Sequence, residues 1–173
     1  HDAFSFNNYV TDTTDTYTIV LKADGTSTGQ ARVLKSVSKT TTTGIDTSGS
    51  VADSTLNYTY DAQARVTAAT AGTTHVVGHD AFSFNSYVTD TTDTYTIVLK
   101  ADGTSTGQAR VLKSVSTTTT TGIDTSGSVA DSTLNYTYDA QARVTAATAG
   151  TTHVVGHDAF SFNNYVTDTT DTY

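Results

Sequence analysis

Apolar and polar residues alternate along most of this chain. Phe4 and Phe6 point one way while Ala3, Ser5 and Asn7 point the other. Tyr17, Ile19 and Leu21 alternate with Thr18, Val20 and Lys22, and Leu56, Tyr58 and Tyr60 alternate with Asn57 and Thr59. Ala31, Val33 and Val37 share a face with Lys35; Ala64, Val66 and Ala68 follow, then the short apolar run Val76-Val77. A period of two places successive side chains on opposite faces of a strand, and no stretch carries a helical stripe. The pattern predicts an all-β protein. Asp24-Gly25 predicts one hairpin, with Ile19 facing Ala31, Tyr17 facing Val33 and Asp15 facing Lys35. The segment DAQ predicts another, with Tyr60 opposite Ala64, Tyr58 opposite Val66 and Leu56 opposite Ala68. Six or seven short strands in about 80 residues, with turns every 8–12 or so, predict immunoglobulin-like β-sandwich units in tandem, with a β-solenoid as the second choice.

The chain repeats itself. Residues 1–78 recur as residues 79–156, and residues 157–173 begin a third copy. Between the first two copies only Asn8/Ser86 and Lys39/Thr117 differ, and Asn164 restores the first of these. Near-identical units suit a part used many times, each meeting the next in the same way. The expected domains are therefore 1–78 and 79–156. The remainder, 157–173, is either the start of a third repeat or a strand that completes the second unit by addition to its sheet. THVVGHDAFSF crosses the boundary without a Pro-, Gly- or Ser-rich linker, which predicts stiff coupling between units. The aromatic residues at these junctions are Phe4, Phe6, Tyr9, Phe82, Phe84, Tyr87, Phe160, Phe162 and Tyr165, candidates for packing between repeats or for a donated strand. Ordinary packing inside one unit would serve them equally well.

Composition narrows the function. The chain has no Cys, so disulfides are excluded as a staple for units this small. All seventeen acids are Asp, and the net charge of −8 disfavours nucleic acid and anionic membranes as partners. No apolar run approaches the ~20 residues needed to span a bilayer as a helix. Thr dominates, with eighteen in the first repeat, and its branched side chain suits a pleated, half-exposed surface. Abundant Thr, Ser, Asp, Gly and Asn point to a secreted or surface-displayed β protein.

The candidate chemistry is sparse. Asp12 and Asp15, repeated as Asp90 and Asp93, offer carboxylates among threonines that would suit calcium; otherwise they cap turns and end strands. His75 and His79 lie four apart, about 13 Å on an extended strand, so a shared metal would need a bend at Gly78. Asn57-Tyr58-Thr59 and its copy at Asn135 have the form of an N-glycosylation sequon. There is no Cys nucleophile and no Glu pair, and Ser48 interrupts the only Asp-Thr-Gly-like stretch, so no enzyme is expected.

Two resemblances follow. The near-identical, Thr- and Asp-rich, Cys-free repeats resemble the stalk repeats of large bacterial surface adhesins and biofilm proteins. That likeness implies adhesion or matrix formation at the cell surface, with neighbouring copies of the repeat as partners and calcium as a stiffening ion. YTYDAQARV (Tyr58–Val66) is similar to the YD repeat of Rhs-type proteins, with Ala64 where that motif has Gly. The expected function is a stiff extracellular stalk, fibre or filament. The alternative is a polysaccharide- or ice-binding module with a regular, exposed Thr or Tyr face.

Overall fold

In the computed structural model, which describes residues 7–170, the chain folds as a plain antiparallel meander. The first repeat supplies β1 (Asn7–Leu21), β2 (Ser27–Gly44), β3 (Gly49–Tyr60), β4 (Val66–Ala71) and β5 (Thr74–His79). The second supplies β6 (Asn85–Leu99), β7 (Ser105–Gly122), β8 (Gly127–Tyr138), β9 (Val144–Ala149) and β10 (Thr151–His157); β11 (Asn164–Thr170) opens the third. All eleven strands join one open sheet in the order β1-β2-β3-β5-β6-β7-β8-β10-β11, with β4 on β3 and β9 on β8. β4 and β5 divide one edge of β3 between them. Gly72, at their joint, donates its N–H to the Thr55 carbonyl at 2.9 Å, so the two behave as one bent strand. No helix among the described residues is long and apolar enough to cross a membrane.

The all-β expectation holds, but the strands lie in one sheet and not in two stacked ones. In each repeat three strands of 12–18 residues stand beside two of 6 or 7, where only short ones were expected, because runs such as Ser36–Thr43 contain nothing that turns the chain. Thr and Ser also populate both faces. Neither face is apolar enough to require a second sheet against it. The described apolar core consists of Val20, Ala64, Ala69, Val98 and Ala142 alone.

The first hairpin keeps the expected pairs Ile19–Ala31 and Tyr17–Val33, then departs. Leu34 is an extra residue on β2, so Thr16 faces Lys35 and Asp15 faces Ser36. This bulge also separates Val33 from the face of Lys35 and Val37. The second hairpin is wider than expected: Tyr60 pairs with Val66, Tyr58 with Ala69 and Leu56 with Ala71. Its turn spans Asp61–Arg65, closed by Asp61 N–H to the Arg65 carbonyl (3.0 Å), with Ala64 at φ 60°. AFSF is not a strand either. Ala81–Ser83 make one 3-10 turn with Phe82 at φ 60° and Ser83 at φ 56°, and β6 begins only at Asn85. Asp80 sets this turn, its carboxylate accepting from the Asn85 N–H (2.9 Å) and the Asn85 amide (2.6 Å).

The repeat boundary is an ordinary ladder. β5 pairs with β6 from Thr74–Thr91 to His79–Ser86, and β10 pairs with β11 from Thr151–Thr170 to His157–Asn164. Gly78 faces Tyr87 across the first boundary, and the phenol ring lies over the glycine; Gly156 and Tyr165 repeat the arrangement. A methyl group on Gly78 would overlap that ring and approach the Gly49 carbonyl to 2.8 Å. Only a residue without Cβ lets the aromatic ring cross the strand here.

Gly78→Ala should therefore lower stability by about 1–3 kcal/mol, the usual range for overpacking. Combining it with Tyr87→Ala should cost less than the sum of the two single changes, because the ring that clashes is gone. Urea titrations of the four variants measure both quantities, and strict additivity would refute the ring-over-glycine account.

Candidate functional site

Because the register is continuous, residues line up in rows that cross every strand of the sheet. On one face the row Asp12–Lys39–Asp53–His75–Asp90–Thr117–Asp131–His153–Asp168 alternates acids with Lys, His or Thr. His75 Nδ1 lies 2.6 Å from Asp90 Oδ1 and His153 Nδ1 lies 2.7 Å from Asp168 Oδ1. An ionised carboxylate can only accept, so the Nδ1 nitrogens carry the protons in these bonds. Lys39 sits between Asp12 and Asp53; its counterpart Thr117 donates its hydroxyl to Asp131 at 2.5 Å. Two residues further along every strand pair, on the same face, runs Val10–Thr41–Val51–Val77–Val88–Thr119–Val129–Val155–Val166. The next row holds Gly49 against His79, and Gly127 against His157. The glycines floor two shallow, matching grooves walled by Thr43 and His79 and by Thr121 and His157.

The opposite face carries small residues. Tyr9, Thr42, Ser50, Gly78 and Tyr87 form one row, and Thr11, Thr40, Ala52, Val76 and Thr89 form the next. Hydroxyls here bond one another across strands: Thr11–Thr40 at 2.9 Å, Ser38–Ser54 at 2.8 Å and Thr89–Thr118 at 2.9 Å. Toward the hairpin tips the repeats also touch away from the ladder. Arg65 on the β3–β4 turn lies against Gly107, where an added Cβ would stand 3.5 Å from the arginine Cβ. The Tyr95 phenol is pushed up by burial first, then by Asp93 and by Tyr58 of the preceding repeat. The first-repeat counterparts, Tyr17 and Ile19, are exposed, whereas Tyr95 and Ile97 are partly covered.

The residues singled out from sequence divide accordingly. Tyr87 packs across the repeat boundary, as does Tyr165, while Tyr9 occupies the same row on β1 and is exposed. Phe82, Phe84, Phe160 and Phe162 were expected in junction packing; instead they project from the 3-10 turns, with exposures from 57% to 81%. The two rings of each pair lie tilted against one another, with centroids 6.2 and 6.1 Å apart. Phe4 and Phe6 lie outside the described residues. Asp12 and Asp15 are three apart on one strand and so point from opposite faces, as do Asp90 and Asp93. Neither pair converges on a common point. No group of three or more His, Cys, Asp or Glu side chains that could hold a metal occurs among the described residues. His75 and His79 stand two rows apart on a strand that Gly78 does not bend. Asn57 lies within β3, between Lys35 and Thr70, and its side-chain amide donates to the Thr70 carbonyl at 3.4 Å; Asn135 is the exposed equivalent.

Sequence reading placed Asp24 and Asp61 at hairpin turns but missed Asp46 and Asp80 as turn-closing carboxylates. Asp24, Asp46, Asp61 and Asp80, with copies Asp102, Asp124, Asp139 and Asp158, are all held below the ordinary carboxyl value of 3.8. The Thr26 hydroxyl does this to Asp24, the Ser48 hydroxyl to Asp46, the Arg65 backbone N–H to Asp61 and the Asn85 backbone N–H to Asp80. An Asp two residues before Thr, Ser or Gln is the signal that would have found Asp24, Asp46 and Asp61, whereas Asp80 bonds an Asn five residues on. Family models, characterised proteins and solved structures all fail to give a match to this chain.

Two outcomes follow. Thr117→Lys gives the second repeat the cation that Lys39 supplies in the first, and should stabilise by about 0.2–1 kcal/mol at low salt, fading as salt screens it. The measurement is the denaturation midpoint at two ionic strengths, and a salt-independent change would refute the electrostatic origin. The turn carboxylates titrate lower folded than unfolded, so their contribution is present above about pH 4 and is lost as pH falls through the folded values. The urea midpoint should be flat from pH 7 to 5 and drop below pH 4, with a shallower drop in the double variant Asp61→Asn, Asp139→Asn.

Proposed function

We propose that this chain is a structural element, a segment of a stiff extracellular stalk, fibre or filament at a cell surface, serving adhesion or matrix formation. The observation that carries this reading is the boundary between repeats: the β5–β6 ladder is as regular as any ladder inside a repeat. A repeat adds four strand positions to the sheet, β1-β2-β3-β5, before the same strand recurs as β6. With neighbouring strands about 4.8 Å apart, each copy lengthens the sheet by roughly 19 Å without any new type of contact. Beads on flexible tethers would need a linker, and His79 passes to Asn85 through one capped 3-10 turn.

The rows on the faces fit the same role. Alternating acids with Lys and His keeps like charges from meeting at adjacent strands. The Thr and Ser pairs bind each other instead of presenting free hydroxyls, which favours the structural reading over a sugar- or ice-binding face. Tyr60 likewise spends its hydroxyl inside the sheet, donating it to the Val33 carbonyl at 2.7 Å. Partners in this reading are neighbouring copies of the repeat, and the setting is secreted or cell-surface.

Chains carrying two, three and four copies of the 78-residue unit test the reading. Small-angle scattering should show the sheet dimension growing by roughly 19 Å per added copy, in proportion to copy number. Growth with the square root of copy number, the behaviour of a flexible tether, would overturn it.

A further inference from the structure

The turns of this sheet fall along its two long sides, and the two sides differ in chemistry. The β2–β3 and β5–β6 turns and their copies line one of them. There Ile45 and Ile123 are 76% and 77% exposed, beside the projecting rings of Phe82 and Phe84. Phe82, Phe84 and Ile123 have a described turn on either flank, and Ile123 donates its N–H to the Phe84 carbonyl at 2.8 Å. Their exposure therefore belongs to the interior of the sheet. Phe82 and Ser83 take left-handed backbone, a region in which residues with bulky side chains are uncommon. The Asp80 carboxylate on Asn85 holds them there, together with the Phe82 N–H on the Thr47 hydroxyl at 3.2 Å. The charges of these turns are Asp46, Asp80, Asp124 and Asp158, with no Lys or Arg. The β1–β2 and β3–β4 turns and their copies line the opposite side, which is basic. It carries Lys22, Arg32 and Arg65 against Asp24 and Asp61, and Lys100, Arg110 and Arg143 repeat the excess. Leu21 and Leu99 stand beside the lysines, each 54% exposed.

We propose that copies of this repeat sheet pack side by side, the Phe and Ile ridge of one against the basic side of a second copy. This deepens the structural reading and rests on it. Charge selects the pairing. Ridge on ridge would set Asp46 and Asp80 against carboxylates of the same kind, and basic side on basic side would oppose Arg32 and Arg65 to other cations. Ridge on basic side brings unlike charges together. Spacing selects a second copy as the occupant. Both sides recur with every four strand positions, roughly 19 Å, so one register engages each repeat in turn. Modest contacts at each repeat then add along the array. Phe82, Phe84 and Ile123 anchor the contact, and Leu99 with the lysine and arginine stems receives them. A lipid surface offers the ridge neither this period nor cations in fixed places. The contact is heterologous, and each docked copy leaves its own ridge free on the far side, so the assembly spreads as a raft of parallel arrays.

The chain has no Cys, so single cysteines report which sides meet. Chains with Ile45→Cys and with Ala101→Cys, mixed and treated with a short bismaleimide, should give covalent dimers whose yield rises with concentration and falls as salt is added. Either chain treated alone should stay monomeric. No dimer in the mixture, a yield indifferent to salt, or equal dimer from Ile45→Cys alone would overturn the proposal. Adding Phe82→Ser and Phe160→Ser to the Ile45→Cys chain should lower the yield about tenfold, with circular dichroism unchanged because both rings are exposed. Ile123→Ser makes the same test should the serine pair unfold the chain, and an undiminished yield from a folded variant counts against the ridge. Flotation with phosphatidylcholine vesicles, in the absence of cross-linked dimer, would assign the ridge to a lipid surface and overturn the proposal. The length series above, run dilute, is read separately: a constant increment per copy without cross-links overturns the side-by-side packing alone, and a compact series overturns both.

Discussion

Backbone hydrogen bonding between neighbouring strands, carried without interruption through the repeat boundary, is the interaction on which the rest of this molecule depends. With so few buried apolar residues, a hydrophobic core cannot be the main term. The meander compensates by pairing each long strand with its sequence neighbour, so most ladders close over short turns and local contacts. Cross-strand side-chain pairs then add their small increments many times over, as Thr–Thr, Ser–Ser and His–Asp contacts repeated along the sheet.

That constraint explains where the special residues fall. The turns must reverse long strands tightly, and Asp at 24, 46, 61 and 80 does so by accepting backbone and hydroxyl protons. Ala64 takes a left-handed conformation in the second of the hairpins considered above, at the position where the YD motif has Gly, and its carbonyl accepts from the Arg32 guanidinium at 3.4 Å. Phe82 and Ser83 hold the same conformation at the repeat boundary, where the chain must pass from β5 to β6 in a few residues. Gly78 serves a different need, the passage of the Tyr87 ring across the strand.

The same side chain recurs in this sheet in different surroundings. Tyr9, Tyr17 and Ile19 on β1 are exposed, whereas Tyr87, Tyr95 and Ile97 on β6, which pairs with both β5 and β7, are partly covered. Repetition turns such a difference into a measurement, since the same side chain is seen with and without its partner.

The all-β character, the 78-residue repeat, the unlinked boundary and the pairs Ile19–Ala31 and Tyr17–Val33 were legible in the chain itself, because alternation and turn residues act over a few neighbours. The bulge at Leu34, the wider Asp61–Arg65 turn and the left-handed Phe82 were not, since one extra residue on a strand leaves the alternating pattern readable in either register. Nor could the pattern distinguish Asp12 and Asp15 as a pair from Asp12 and His75 as neighbours in one row. Proximity in sequence put the two carboxylates together, and the pleat sent them to opposite faces. Whether the strands stacked as sandwiches or spread as one sheet was decided by tertiary structure alone. Both faces are polar enough to remain in water, and the β5–β6 ladder satisfies more backbone groups than a break between domains would.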